Sequence, residues 1–491
     1  MKRIVFTTVL FLYFSFGVFS QSHIERTIKS LVNEPSLKNA SVGVAVIDVE
    51  TGKLIAGHDA KKSLTPASSL KVVTTGAALA ILGPDFQFET KLEYDGLIDN
   101  NGTLKGNLYL TGFGDPTLGS SEYEEVPDLK KIMQLFCAEI QKAGIKKIEG
   151  LVVGDASYFG TAASGKTWAY EDLGNYYGAG AYGLNVLENM YYIKLQQKTK
   201  LGSQPAVAST EPSIPNLLLI NELTSAEKGS GDNAYIFGAP HNYTAYIRGT
   251  IPVGSKTFTI KGAIPDPPFF AAHSLMYALE EKGITTSRQA TTQLQLDLEQ
   301  QQKVKTILKR TTIYTHKSPT LKSIVKETNL KSVNLFCEAM LRTLGKKKRG
   351  KGTAEAGIEV LLEFWKKKGL KTEGFFIEDG SGLSPYNSVS TQHLATVMRL
   401  IYKDEFLREA FYDSLPIAGK SGALRYRLKG TKAQDNLRAK SGGLKRVRSF
   451  TGLVKSASGK QLAFSVIVNN YNGGSGKVLK RMETFMASLA E

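Results

Sequence analysis

The sequence predicts a mixed α/β (α+β) fold: one discontinuous domain interrupted by a large β-rich insertion that forms one or two additional domains. Three observations predict it. A strand–turn–strand unit followed by an apolar helix opens the chain. From about Phe88 to Arg288, glycine-rich strand and turn signals dominate. Helices then return, and the chain closes with strands and a last helix that can complete the opening hairpin. The expected boundaries are 1–20 for a signal peptide, 21–90 and 289–491 for the two parts of the main domain, and 91–288 for the insertion. A chain of 491 residues is too long for a single compact core.

Met1-Lys2-Arg3 is a basic end, and Ile4–Phe19 is an apolar run shorter than the ~20 residues a spanning helix needs. Cleavage is expected after Ser20. The processed chain is then exported, to the periplasm or cell envelope, with no transmembrane span. His23–Val32 has helical periodicity. Ser41–Asp48 and Leu54–His58 alternate as strands around the turn Glu50–Lys53, and a helix runs from the segment Thr65–Lys71 through Leu82. Asp128–Ala143 is the helix expected to interrupt the strand signals of the insertion. Phe269–Lys282, Thr320–Thr328, Ser332–Leu344 and Ala354–Lys367 follow as helices. Asn436–Gly442, Ser449–Lys455 and Leu462–Val468 read as strands, and Gly476–Leu489 as the last helix.

The 62 basic and 45 acidic residues leave a net charge of +17, clustered in part at Lys346–Lys351 and Lys366–Lys368. Such clusters are solvated faces or attract a polyanion. An exported chain without a nucleic-acid motif argues against nucleic acid and for an anionic wall polymer. Cys137 and Cys337 lie in apolar helical patterns, which suits free buried thiols. No cysteine pair or histidine cluster has metal-ligand spacing, so neither metal nor cofactor is expected.

The chemistry is concentrated in short motifs. Ser68 and Lys71 are three apart at a helix start, so the amine can reach the hydroxyl. Thr65 can cap and Pro66 suits the first turn. A serine hydroxyl needs an adjacent base, and a desolvated lysine can serve. The same S-x-x-K spacing recurs at Ser225/Lys228, in a Gly/Ser-rich stretch that reads as a surface loop, and at Ser323/Lys326, in what reads as a mid-helix position. Ser332-Val333-Asn334 is the one S-x-N. It starts a helix or a tight turn, and is either a cap or a proton-relaying serine beside an amide that can hold a peptide backbone. Lys-Ser-Gly occurs at Lys420–Gly422, read as a loop, and at Lys440–Gly442, on a strand. There Lys440 and Ser441 suit a substrate carboxylate, and Gly442 permits close approach.

The order S-x-x-K, S-x-N, K-[TS]-G is that of penicillin-binding proteins and class A β-lactamases. The chain resembles the class C penicillin-binding proteins, the D-alanyl-D-alanine carboxypeptidase/endopeptidases. Pro66–Lys71, Gly114–Leu118, Gly154–Phe159, Tyr176–Gly180 with Leu184-Asn185, Asp379–Ser384 and Leu415–Gly419 carry the resemblance. Ser68 and Ser332 lie more than half the chain apart. The resemblance implies that extra domains fill much of that interval, whereas a β-lactamase lacks such an insert. It implies a serine penicillin-recognising, transpeptidase/β-lactamase-like domain that hydrolyses peptidoglycan stem peptides or cross-links and is acylated by β-lactams. Ser68 is then the nucleophile and Lys71 its base. The N–H groups of Ser68 and Gly443 hold the oxyanion, Ser332 relays the proton and Asn334 orients the peptide. Lys440, Ser441 and Gly442 bind the terminal carboxylate. Asp172, in Trp168–Asp172, is the candidate for reading a diamino-acid side chain. Ser441 stands where the family usually has threonine. A serine β-lactamase or esterase on the same core, and a non-catalytic wall-binding protein, are the alternatives.

Overall fold

The computed structural model describes residues 23–120, 123–300 and 309–491. The expected signal peptide, 1–20, lies outside the described residues. The chain divides into two compact units. The first holds residues 23–85, Leu321–Val333 and Ile358–Glu491; the second holds Phe86–Thr320 and Asn334–Gly357.

The first unit is built on an antiparallel sheet of five strands in the order Leu54–His58, Ser41–Asp48, Gln461–Asn469, Val447–Lys455, Arg438–Leu444. Val42, Val44 and Val46 alternate onto one face with Phe464, Val466 and Val468. Helix 23–32 places Ile24, Ile28 and Leu31 on that face, and helix Ser475–Ser488 places Val478, Met482 and Phe485 there, each at helical spacing. Each of these buried apolar side chains contributes about 1.5–3 kcal/mol. On the opposite face Ala45 and Ile47 meet Ala395 of the helix Thr391–Lys403. That helix, not anticipated from periodicity, starts with a capping box. Ser390 Oγ accepts from the His393 N–H at 3.1 Å, and His393 Nδ1 accepts from the Ser390 N–H at 3.2 Å.

In the second unit a mixed five-stranded sheet runs Ala290–Thr292, Val152–Asp155, Leu108–Gly112, Glu89–Tyr94, Thr311–Lys317. Pairing of Thr311–Lys317 with Glu89–Tyr94 carries this unit to Thr320, beyond the boundary expected near 288. Helices Leu129–Lys142 and Pro267–Glu281 cover the sheet. Smaller sheets around Met190–Gln196 and Asn242–Pro252 share its hydrophobic core. Cys137 and Cys337 are both buried and are not joined in a disulfide.

Candidate active site

Ser68 lies in a 3-10 turn, Ala67–Leu70, that leads into the helix Lys71–Leu82. In a 3-10 turn, residues three apart eclipse one another. Lys71, fully buried, therefore stands over Ser68, with Nζ 3.1 Å from Oγ. The turn is not capped by Thr65, contrary to expectation. Thr65 Oγ1 instead donates to the Pro385 carbonyl at 3.2 Å, and its N–H donates to Asn469 at 2.9 Å. What holds the turn is a pair of buried hydroxyls: Ser69 Oγ donates to the Pro66 carbonyl at 2.8 Å, and Ser449 Oγ reaches that carbonyl at 2.5 Å and Ser69 Oγ at 3.0 Å. Ala67 adopts φ = 47°, a left-handed conformation that costs a non-glycine residue about 1–3 kcal/mol.

The other two S-x-x-K matches sit differently from their sequence readings. Ser225 is buried in the strand Thr224–Ala226, not in a surface loop, and Lys228 is exposed. Ser323 lies in the first turn of the helix Leu321–Lys331, not at its middle.

The strand Arg438–Leu444 is the sheet edge beside the nucleophile. Gly442 packs against the serine turn: a Cβ there would stand 2.7 Å from the Pro66 carbonyl oxygen and 2.8 Å from the Ser69 nitrogen. Ala439, outward in the ladder, donates its N–H to Pro416 O at 3.0 Å. Backbone groups alternate sides along an antiparallel strand. Ser441 and Gly443 therefore also aim their N–H and C=O groups at the edge, away from Val447–Lys455. Lys440 Nζ folds over this edge, donating to the Ser441 carbonyl at 2.8 Å and to Ser332 Oγ at 2.9 Å.

Of the two expected readings, helix start or tight turn, Ser332 takes the second. It holds φ = 62° in a tight turn between the helices Leu321–Lys331 and Asn334–Arg349. In the second unit, Asn334 Nδ2 donates to the Tyr177 carbonyl at 2.7 Å. The Tyr177 phenol lies close enough to the half-buried Asp172 carboxylate for each to affect the other's proton affinity. Burial raises the Asp172 pKa above the usual carboxylate range, and the Tyr177 phenol opposes that rise. Burial and the neighbouring carboxylate push the Tyr177 phenol up.

Sequence reasoning attached no role to Asp379–Ser384. In the structure the Ser381 carbonyl accepts from Lys71 Nζ at 2.7 Å. Gly382, at φ = 81°, lies so close to Ala67 that a Cβ would stand 2.6 Å from its carbonyl carbon. The family resemblance marked this segment without giving it a role, because the group it supplies is backbone.

The arrangement pairs a serine with a buried amine, beside a strand edge bearing a second lysine and hydroxyl. That is equipment for acyl transfer to serine. Residues 24–491 match the family described as D-Ala-D-Ala carboxypeptidase 3 (S13). The chain is 26% identical over 465 residues to a D-alanyl-D-alanine carboxypeptidase from Actinomadura sp., covering 92% of this chain and 82% of that protein. The crystal structure of penicillin binding protein 4 (dacB) from Haemophilus influenzae is similar in fold. Its TM-score is 0.76 at 24% identity, over 94% of this chain and 98% of that one. The same Haemophilus influenzae protein complexed with a novel beta-lactam aligns with a TM-score of 0.73 at 23% identity, over the same shares. With the match running nearly from end to end, the chain belongs to the D-Ala-D-Ala carboxypeptidase 3 (S13) family.

Proposed function

We propose that this protein is a serine D-alanyl-D-alanine carboxypeptidase that also opens cross-links as a DD-endopeptidase, acting on peptidoglycan stem peptides. The observation that carries the reading is the 3.1 Å approach of Lys71 Nζ to Ser68 Oγ beside the Lys440–Ser332 pair. Lys71 removes the Ser68 proton as Oγ attacks the penultimate D-alanyl carbonyl. The N–H groups of Ser68 and Gly443 receive the oxyanion; one such donor is worth roughly 2.7–4 kcal/mol of barrier. The edge-facing alternation at Gly443 supports that role. Ser332, held by Lys440, hands a proton to the leaving amine. Lys440 and Ser441 bind the terminal carboxylate, with Gly442 letting strand and turn close. Water then frees the acyl group from Ser68.

Asn334 orients the stem peptide, and Asp172 reads the free end of its diamino-acid side chain. Tyr177, whose backbone carbonyl accepts from Asn334 and whose phenol stands beside Asp172, supports coupling these two roles. On this reading the first unit is the core of the catalytic domain, and the insertion lies within the segment Phe86–Thr320 of the second. The protein is exported after loss of residues 1–20, and Lys346–Lys351 attracts an anionic wall polymer.

Fluorescent penicillin tests the core of this reading. A stable adduct that disappears in Ser68→Ala supports it. Rapid drug turnover would favour a β-lactamase, and no adduct a non-catalytic wall binder. Mass spectrometry of purified muropeptides separates loss of one D-alanine from scission of a cross-link. Binding to a wall polyanion that survives Lys346–Lys348→Gln would remove the basic cluster from the proposal.

A further inference from the structure

The base Lys71 has four rotatable bonds and a nitrogen that can point its lone pair in many directions. A neutral amine carries two N–H groups and one lone pair, so binding one N–H to a fixed acceptor narrows the lone pair to two directions. The Ser381 carbonyl is such an acceptor, 2.7 Å from Nζ. Its position is set by a buried loop with its own fastenings. Thr74 Oγ1, one helical turn beyond Lys71, donates to the Gly380 carbonyl at 2.7 Å. One face of the helix thus grips two consecutive loop carbonyls. The Asp379 carboxylate, 1% exposed, accepts from the Gly382 N–H at 2.7 Å, the Ser384 N–H at 2.6 Å and Asn387 Nδ2 at 2.8 Å. Asn387 Oδ1 in turn accepts from the Glu378 N–H at 2.8 Å. A carboxylate buried among backbone donors shapes a loop at the cost of desolvation, and that cost is offset only while every bond is kept.

We propose that Asp379 and Thr74 are positioning residues for the base. They hold the Ser381 carbonyl where it takes one Nζ proton and leaves the Lys71 lone pair facing Ser68. This completes the logic in which a nucleophile's base is itself oriented by a third group, here a backbone carbonyl. The inference rests on Ser68 and Lys71 acting as proposed above.

The test compares Thr74→Val, which keeps the shape and removes the donor, with Thr74→Ser, which restores it. Acylation by fluorescent penicillin, kcat and KM on a D-Ala-D-Ala peptide, and Tm are measured on the full chain. A displaced base costs on the order of 10–100-fold in acylation rate and kcat. Thr74→Val is expected to show that loss with KM within about twofold, and Thr74→Ser to return to within about threefold of wild type. Should Thr74→Val fail to accumulate, Asp379→Asn, which keeps the volume and loses one acceptor oxygen, gives the same split. Overturning results are wild-type acylation in a folded Thr74→Val or Asp379→Asn protein, a loss confined to KM, or failure of Thr74→Ser to rescue. A wild-type adduct that is absent in Ser68→Ala would leave the catalytic reading standing in each of those cases.

Discussion

Lys440 Nζ donates to Ser332 Oγ at 2.9 Å, joining a sheet edge to a left-handed turn 108 residues earlier in the chain. A hydrogen bond to a charged group contributes about 1.5–3 kcal/mol. Lys440→Ala should therefore lower kcat/KM for a D-Ala-D-Ala peptide roughly 10–100-fold while the fold persists. Steady-state hydrolysis beside a melting curve checks this, and a change under threefold would remove Lys440 from the site.

Gly442→Ala should be far more damaging than its size suggests. The new methyl meets backbone atoms, Pro66 O at 2.7 Å and Ser69 N at 2.8 Å, which cannot swing aside as a side chain does. Acylation should fall more than tenfold and Tm should drop. At Gly443 the atoms nearest a Cβ all belong to the Arg448 side chain, with Nη1 closest at 3.1 Å. Gly443→Ala should retain acylation within a few-fold. Equal effects at the two positions would contradict this account of the strand's packing.

Ser441→Thr returns the family's usual residue and keeps the hydroxyl, so turnover should stay within about threefold of wild type. Ser441→Val has nearly the shape of threonine without the donor. Its KM for a substrate with a free terminal carboxylate should rise about tenfold, corresponding to about 1–1.5 kcal/mol. Kinetics on a substrate amidated at its terminus should show no such difference between the two variants.

Asp115 predicts a pH dependence of stability. It is buried; one oxygen accepts from the Thr117 N–H and hydroxyl, and the other has no partner among the described residues. Burial raises its pKa to about 6 from 3.8. The unfolded chain therefore releases this proton at lower pH than the folded one. Stability from this group is full below about pH 4, is lost as pH rises toward 6, and levels off above that, a loss of about 3 kcal/mol. Asp115→Asn should flatten the decline of Tm between pH 4 and pH 6. An unchanged slope would refute the assignment.

Much of the site was legible because its key pairs are local or periodic. Ser68 and Lys71 are one turn apart, Ser332 and Asn334 flank one residue, and Lys440–Gly442 lie on an alternating strand. Less legible were the parts supplied by backbone or by distant small residues. The Ser381 carbonyl carries no side-chain signature, and Ser449 reads as an ordinary strand serine until it meets Pro66. Ser332 left helix start and tight turn both open, since a left-handed turn between two helices looks the same as a cap in a string of letters.

By itself the sequence determined the nature of the chemistry and its local stage: a serine and amine at helical spacing, a second hydroxyl before an amide, and a lysine on a strand. These follow from backbone sterics that act over one or two turns. Only the tertiary structure decided which of three S-x-x-K pairs gains a strand edge against it, which carbonyl restrains the buried amine, and which N–H groups face the open edge. Those depend on contacts between segments hundreds of residues apart, where close packing and the need to satisfy buried polar groups leave one arrangement.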